Sequence, residues 1–246
     1  MLYHRLSVDC KVAVSNYTEL EAGHVEINPI ILAECKDIIN KFCKEELEGG
    51  FDKGGVMDCL VSHKNDPEVR SDGYRCRAAV EHFQLISLKS YHFSYKFKEA
   101  CRPHVVRYCP KSKTKMDVVS CLSEKVRNET LSGQRPSISR ECRQQLRAQL
   151  LQRHESINLD PSLKAVCFSD VRSLCVNVKP GDGQVLECLQ NARHQLSAEC
   201  HRAIFNVERE ELTDNSVDYM LLTACSKPLK QYCPQVDLSK ALECLK

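Results

Sequence analysis

The chemistry available to this 246-residue chain is concentrated in its sixteen cysteines. They repeat one spacing four times, Cys-x24-Cys-x7-Cys, followed after 10 to 15 further residues by Cys-Leu. Cysteines in such numbers can form disulfides, hold zinc or act as nucleophiles. The four quartets are Cys10, Cys35, Cys43 and Cys59; Cys76, Cys101, Cys109 and Cys121; Cys142, Cys167, Cys175 and Cys188; Cys200, Cys225, Cys233 and Cys244.

The spacing favours disulfides over the other two uses. Zinc ligands usually come as Cys-x2-Cys pairs, and the sequence has none. Two cysteines eight residues apart on a helix lie about 12 Å apart, too far to hold one ion. An even number in each quartet leaves no spare thiol for catalysis. We therefore predict disulfides at all sixteen positions, no metal, no cofactor and an oxidising compartment.

The sequence does not determine which cysteines pair with each other. If the first two helices of a repeat form an antiparallel hairpin, the first cysteine lies opposite the third, which favours Cys10–Cys43 with Cys35–Cys59. First-to-second with third-to-fourth pairing, and bonds into the next repeat, are alternatives. A repeat counted from the Cys-x7-Cys helix to the next leading cysteine would leave Cys10 without a partner at one end and Cys225, Cys233 and Cys244 in a truncated repeat at the other.

The four copies agree position by position on the helices that carry the cysteines. Eighteen residues after each first cysteine stands a residue that caps helix N-termini well, and an apolar stripe in steps of four, four and three follows it. Shorter helices are predicted around the first cysteine and around Cys-Leu, so the fold class is all-α, a tandem array of small disulfide-stapled three-helix repeats. The capping positions are Asn28, Ser94, Asp160 and Asp218.

The quartets divide the chain into four cysteine-rich repeats, with the last expected to be truncated. A single repeat of roughly 60 residues buries little apolar surface by itself, so disulfides are expected to stabilise it. Tandem arrays commonly serve as extended binding surfaces. The predicted repeats are 10–75, 76–141, 142–199 and 200–246.

The net charge of +2 conceals a strong partition. Residues 9–72 hold 7 Lys and Arg against 14 Asp and Glu, a net of −7, whereas residues 89–153 hold 15 against 5, a net of +10. A basic region outside the cytosol attracts sulfated glycans or acidic proteins, and the acidic first repeat suits a basic ligand. No nucleic-acid-binding motif is present. The candidate polyanion-binding residues are Lys111, Lys113, Lys115, Arg140, Arg143 and Arg147.

Two glycosylation sequons agree with a secretory route. Asn16 and Asn128 each begin an Asn-x-Thr sequon. The chain lacks a signal peptide and an apolar run long enough to span a membrane, so it reads as a piece of a longer protein that meets membranes only through an anchor outside this chain. Its sequence contains no His-Glu-x-x-His, Gly-x-Ser-x-Gly or phosphate-binding glycine loop, and no catalytic residue is predicted.

Several segments resemble the cysteine-rich fibroblast growth factor receptor repeat family. These are the Cys167-to-Cys175 helix with Cys188-Leu189, the Leu-Ser-x-x-Cys approach ending at Cys200, and the run that begins at Cys142. The resemblance covers essentially the whole chain. It implies a type I membrane sialoglycoprotein of the Golgi apparatus whose lumenal part is a long array of such repeats.

Two functions from different classes follow. The resemblance implies a non-catalytic lumenal binding region that takes up fibroblast growth factors and other secreted or adhesion proteins, and the basic charge adds sulfated glycans. The alternative is a structural or trafficking scaffold with no ligand of its own in this segment. The first predicts salt-sensitive ligand binding by the isolated chain, and the second predicts none.

Overall fold

The computed structural model describes residues 5–48, 52–71 and 73–246. Within these ranges every regular element is a helix and no strand occurs, so the all-α prediction is confirmed. The α-helices are α1 (Val8–Gly23), α2 (Pro29–Phe42), α3 (Lys44–Glu48), α4 (Gly55–His63), α5 (Pro67–Ser71), α6 (Tyr74–Ser87), α7 (Tyr95–Tyr108), α8 (Lys115–Leu131), α9 (Arg140–Glu155), α10 (Pro161–Val166), α11 (Phe168–Leu174), α12 (Gln184–Asn191), α13 (Ala198–Thr213), α14 (Tyr219–Ala224), α15 (Ser226–Tyr232) and α16 (Ala241–Leu245).

Helices α2, α7, α10 and α14 begin directly after the four predicted capping residues. The side-chain oxygen of Asn28 accepts a hydrogen bond from the Ile31 N–H at 3.1 Å, and Asp160 and Asp218 make the equivalent bonds at 3.0 and 2.9 Å. Ser94 occupies the same position without capping its helix. Its hydroxyl instead accepts a hydrogen bond from the Lys115 amine at 2.7 Å. Local sequence therefore stabilises three of the four helix starts, because a cap needs only its own first turn.

The second helix of a repeat differs between the two halves of the chain. In the first two repeats it is continuous, as α2 and α7, whereas in the last two it is divided at Cys167 and Cys225. The division is slight, because the Cys167 N–H still bonds to the Leu163 carbonyl and the Val171 N–H to the Cys167 carbonyl, both at 2.9 Å. The two short helices on either side of the cysteine therefore continue one another, in place of the single helix that the sequence predicts.

The disulfides do not follow the predicted hairpin pairing. The third cysteine bonds to the fourth in every quartet, and the second cysteines of the first and third quartets bond to the first cysteines of the quartets that follow them. Cys101 and Cys142 are disulfide-bonded as well. The bonds are Cys43–Cys59, Cys109–Cys121, Cys175–Cys188 and Cys233–Cys244 within quartets, and Cys35–Cys76 and Cys167–Cys200 between them.

The preferred pairing of Cys10 with Cys43 and of Cys35 with Cys59 is therefore wrong, and the reason is helix packing. The first helix of the following repeat packs on the second helix, as α6 does on α2 and α13 on α10. This packing brings the Cα atoms of Cys35 and Cys76 to 4.6 Å. Cys10 and Cys225, which were also predicted to be disulfide-bonded, are free thiols.

The chain forms two compact units, residues 1–122 and 123–246. The core of the first unit is built around the Cys35–Cys76 bond, where Ile31 and Ile39 of α2 meet Val80 of α6. The second unit repeats this arrangement around Cys167–Cys200. In each unit the apolar stripe predicted from the sequence is the surface that the next repeat covers.

No helix in the described part of the chain is both long enough and apolar enough to cross a lipid bilayer.

Candidate binding site

A cavity of about 530 Å³ lies in the second unit. Its walls come from the last turns of α8, from α9 and α13, and from the segment that leads into α16. This volume is within the roughly 300–1,000 Å³ of sites that bind small molecules or single residues of a larger ligand. Four cationic side chains, Arg127, Arg143, Arg147 and Lys240, line it. The acidic residues in its lining are Glu210, Asp214 and Glu243.

Helix α9 brings two of the six predicted basic residues to this cavity. The helix is fixed at its start by Ser139, whose hydroxyl accepts a hydrogen bond from the Cys142 N–H at 3.2 Å. Leu146 is buried and lines the cavity beside Arg143 and Arg147. Buried Cys142 and Leu146 thus hold α9 in place. Because Arg143 and Arg147 lie on the same helix, this also places them at the cavity.

Two of the cavity cations are already in ion pairs. The Arg147 Nε atom lies 2.8 Å from Asp214 Oδ2, and its Nη1 atom lies 3.5 Å from Asp237 Oδ1. Arg127 Nη1 lies 3.6 Å from Glu210 Oε1. Both arginines are therefore oriented by carboxylates before any ligand arrives.

Arg143 has an unused donor. Its Nε atom is buried and has no hydrogen-bond partner, and the same is true of the Ser123 hydroxyl on the cavity wall. A buried donor without an acceptor costs about 1–3 kcal/mol, so an acceptor delivered by a ligand would be stabilised here. A guanidinium binds carboxylate, sulfate and phosphate groups through paired N–H donors. The cavity is therefore suited to one anionic group.

A buried acid–histidine cluster lies against the same wall. The ring of His154 is buried, with Nδ1 2.7 Å from the Val217 carbonyl oxygen and 3.3 Å from Glu211 Oε1. Burial raises the pKa of Glu211 to about 7, against the lowering effect of His154. Burial acts in the same direction on Glu210, but His154, whose Nε2 atom lies 3.8 Å from Glu210 Oε2, and the charges of Arg153 and Arg127 lower its pKa overall. Glu210 thus remains an anion facing the cavity.

The other predicted basic residues lie elsewhere. Arg140 is exposed at the start of α9, and Lys111 and Lys113 are exposed in the first unit. Lys115 was predicted to bind polyanions, and the structure contradicts this prediction. Its side chain is 3% exposed, and its amine donates to Ser87 Oγ at 3.1 Å and to Ser94 Oγ at 2.7 Å. A count of charges along the sequence cannot show this, because Lys115 is the first residue of α8 and lies on the buried side of that helix.

Sequence reasoning did not select Arg127, Ser123 or Lys240 for the site. Arg127 and Ser123 lie past the Cys-Leu pair of the second repeat, and Lys240 lies just before the last pair. The repeats do not share a basic residue at these positions. Six residues after the fourth cysteine, for example, the successive repeats have Asn65, Arg127 and His194. Only the packing of α8 near α9 and α13 assembles this set.

Both sequon asparagines are exposed, Asn16 on α1 and Asn128 near the end of α8. Among the described residues, no group of three or more His, Cys, Asp or Glu side chains is arranged to hold a metal ion.

Comparison with protein families gives a match along most of the chain. The model described as "Cysteine rich repeat" of the fibroblast growth factor receptor type matches four segments, residues 8–68, 74–130, 140–197 and 198–246. Each segment contains one of the four cysteine quartets.

The chain is also similar to curated proteins named Golgi apparatus protein 1. The protein from Gallus gallus is 40% identical over 239 residues, which is 97% of this chain and 21% of the relative. The Homo sapiens protein is 39% identical over 98% of this chain and 20% of the relative. The homolog from Caenorhabditis elegans is 30% identical over 99% of this chain and 22% of that protein. The chain spans about a fifth of the length of these relatives, and no solved structure matches it.

Proposed function

Because this chain belongs to the cysteine rich repeat family, we propose that it is a non-catalytic, lumenal binding segment of a Golgi membrane sialoglycoprotein. The names of its relatives support the compartment. Fourteen disulfide-bonded cysteines support an oxidising environment, in which such bonds persist.

The observation that carries a binding role is the unsatisfied Arg143 donor in the cavity of the second unit. An anionic group of a secreted ligand would replace the missing acceptor and be held between Arg143 and Arg147. Sulfated glycans are the ligand that best fits this chemistry, because each sulfate offers several acceptor oxygens at one charge centre.

Fibroblast growth factors are the proposed protein partners. The support is the receptor-type description of the family and the net charge of −7 over residues 9–72, which suits a basic protein. Retention of the chain on an immobilised fibroblast growth factor at low salt, with release at high salt, is the expected result. No retention at low salt would remove this partner from the proposal.

The cavity is tested by titrating the full chain with a heparin-derived tetrasaccharide in a calorimeter. Arg143→Gln should weaken binding on the order of tenfold, since it removes a charge-assisted hydrogen bond. Arg202→Gln is the matched control, because Arg202 is exposed on α13, does not line the cavity and carries the same charge. It should change the affinity by no more than about twofold, the scale of screened long-range charge.

Equal weakening by the two substitutions would show general charge attraction and contradict the cavity site. Binding of neither the glycan nor the growth factor would favour the scaffold function instead.

A further inference from the structure

The carboxylate of Glu210 lies between two groups that compete for it at the cavity wall. Its Oε1 atom is 3.6 Å from Arg127 Nη1, and its Oε2 atom is 3.8 Å from His154 Nε2. Arg127 and Glu210 line the cavity, whereas His154 does not line it and is only 3% exposed. Glu210 is therefore an internal anion that competes with the anionic group of a ligand for Arg127.

The tautomer of His154 follows from its hydrogen bond. Nδ1 lies 2.7 Å from the carbonyl oxygen of Val217, which can only accept, so Nδ1 carries a hydrogen. The lone pair of the neutral ring is then on Nε2, a buried atom that has no hydrogen-bond partner in the described part of the chain. A lone pair that faces a carboxylate oxygen becomes an attractive contact once a proton is added to it. His154 Nε2 is therefore the place where this wall can take up a proton.

Glu211 brings a second carboxylate to the same ring. Its Oε1 atom lies 3.3 Å from His154 Nδ1, and Gln190 Nε2 donates a hydrogen bond to its Oε2 atom at 3.0 Å. Burial raises the pKa of Glu211 to about 7, although His154 lowers it. The other charges that act on Glu210 and Glu211 are those of Arg127 on α8, Arg153 on α9, Glu208 on α13 and Asp218 at the start of α14. His154, Glu210 and Glu211 therefore titrate as one coupled cluster close to neutral pH.

We propose that the cavity takes up its anionic ligand together with a proton from the solvent, which binds His154 Nε2 and draws Glu210 from Arg127 towards the ring. This inference rests on the proposed binding of a sulfated glycan at the same site. Arg127 then donates to the ligand beside Arg143, and the imidazolium of His154 replaces it as the partner of Glu210. Because binding adds a proton, the affinity rises as the pH falls. The segment thus binds its ligand in mildly acidic surroundings and releases it at higher pH.

The test is a calorimetric titration of the full chain with the heparin-derived tetrasaccharide at pH 6, 7 and 8. The sulfates and carboxylates of this glycan stay ionised across the range, so any proton that is taken up goes to the protein. Repeating the titration at pH 7 in buffers of different ionisation enthalpy gives the number of protons bound per ligand. We expect about half a proton at pH 7 and an affinity about fivefold higher at pH 6 than at pH 8, within the roughly tenfold per pH unit that one fully coupled proton allows.

Two variants assign the proton to the cluster. They are needed because the chain has nine histidines, and any of them that becomes protonated attracts a polyanion. In His154→Asn the side-chain amide takes the place of Nδ1 and can donate to the Val217 carbonyl, but it binds no proton. Proton uptake should fall to less than about half of the wild-type value, and the affinity ratio between pH 6 and pH 8 to about twofold. Glu211→Gln keeps an acceptor for Gln190 and should lower both quantities as well.

Glu199→Gln is the matched control for a change of charge on α13. Glu199 is exposed, does not line the cavity and carries the same charge as ionised Glu211, so this variant should leave proton uptake and the affinity ratio unchanged. Circular dichroism checks the folding of each variant, and Glu211→Gln decides the outcome if His154→Asn does not fold.

Two results would overturn the inference, and they differ in what they leave standing. Binding with the same proton uptake in the wild type and in both cluster variants would remove the coupling but keep the proposed glycan site. No binding of the glycan at any of the three pH values would remove the proposed site, and the proton coupling with it.

Discussion

Lys115 shows how burial changes the chemistry of a single residue in this chain. Its amine is enclosed between the hydroxyls of Ser87 and Ser94. Burial lowers the pKa of Lys115 to about 7, although the charge of Asp58 opposes the shift. A residue that reads as part of a basic patch is therefore a structural one, and it takes the hydroxyl that would otherwise cap α7.

This pKa predicts a pH dependence of stability. Between pH 7 and the ordinary lysine pKa of 10.5 the unfolded chain binds a proton that the folded chain lacks, so the free energy of unfolding rises with pH. The slope from this residue is at most about 1.4 kcal/mol per pH unit. Below about pH 7 both states are protonated and the cost of burying the charge is fully present.

We therefore expect Lys115→Met to be more stable than the wild type at pH 6.5 and to lose this advantage towards pH 10. Urea unfolding followed by circular dichroism, with the free thiols alkylated, measures the difference. Lys113→Met, at an exposed lysine two residues earlier, should show no such trend. A constant difference between Lys115→Met and wild type across this pH range would contradict the explanation.

Helix starts are the features of this chain that local chemistry determines most fully. Asn28, Asp160 and Asp218 each accept a hydrogen bond from the N–H three residues ahead, and prolines follow Asn28 and Asp160 at the first helical position. These contacts lie within one turn, so the first, third and fourth repeats make them regardless of their neighbours.

Asn28→Ala should lower the free energy of unfolding by about 1 kcal/mol, the usual contribution of such a cap. Asn28→Asp keeps an acceptor oxygen at the same place and should retain the stability. Urea unfolding of the three proteins at pH 7 gives the comparison. An equal loss in both variants would mean that the amide nitrogen, rather than the cap, matters at this position.

The disulfide pattern is a property of the whole molecule. Bonds between quartets join α2 to α6 and α10 to α13, and bonds within quartets join the end of each second helix to the Cys-Leu helix. The first repeat therefore depends on the second, and the third on the fourth, for the burial of its apolar stripe, as expected of stacked repeats. This arrangement also leaves Cys10 and Cys225 free.

Peptide mapping of the purified chain, alkylated without reduction, tests this pattern. Linked peptides should contain Cys35 with Cys76, Cys43 with Cys59 and Cys167 with Cys200, and alkylated Cys10 and Cys225 should be recovered. Recovery of a Cys10–Cys43 or Cys35–Cys59 pair would restore the hairpin arrangement and contradict the fold.

The sequence by itself determined the helices and the all-α class, since caps and apolar steps act over a few residues and four aligned copies repeat them. It also singled out Arg143 and Arg147. Only the tertiary structure decided which cysteines bond, that Lys115 is buried and that Arg127 joins the cavity. These outcomes depend on which helix faces pack together, and residues far apart in the chain set that packing through the apolar surface they bury.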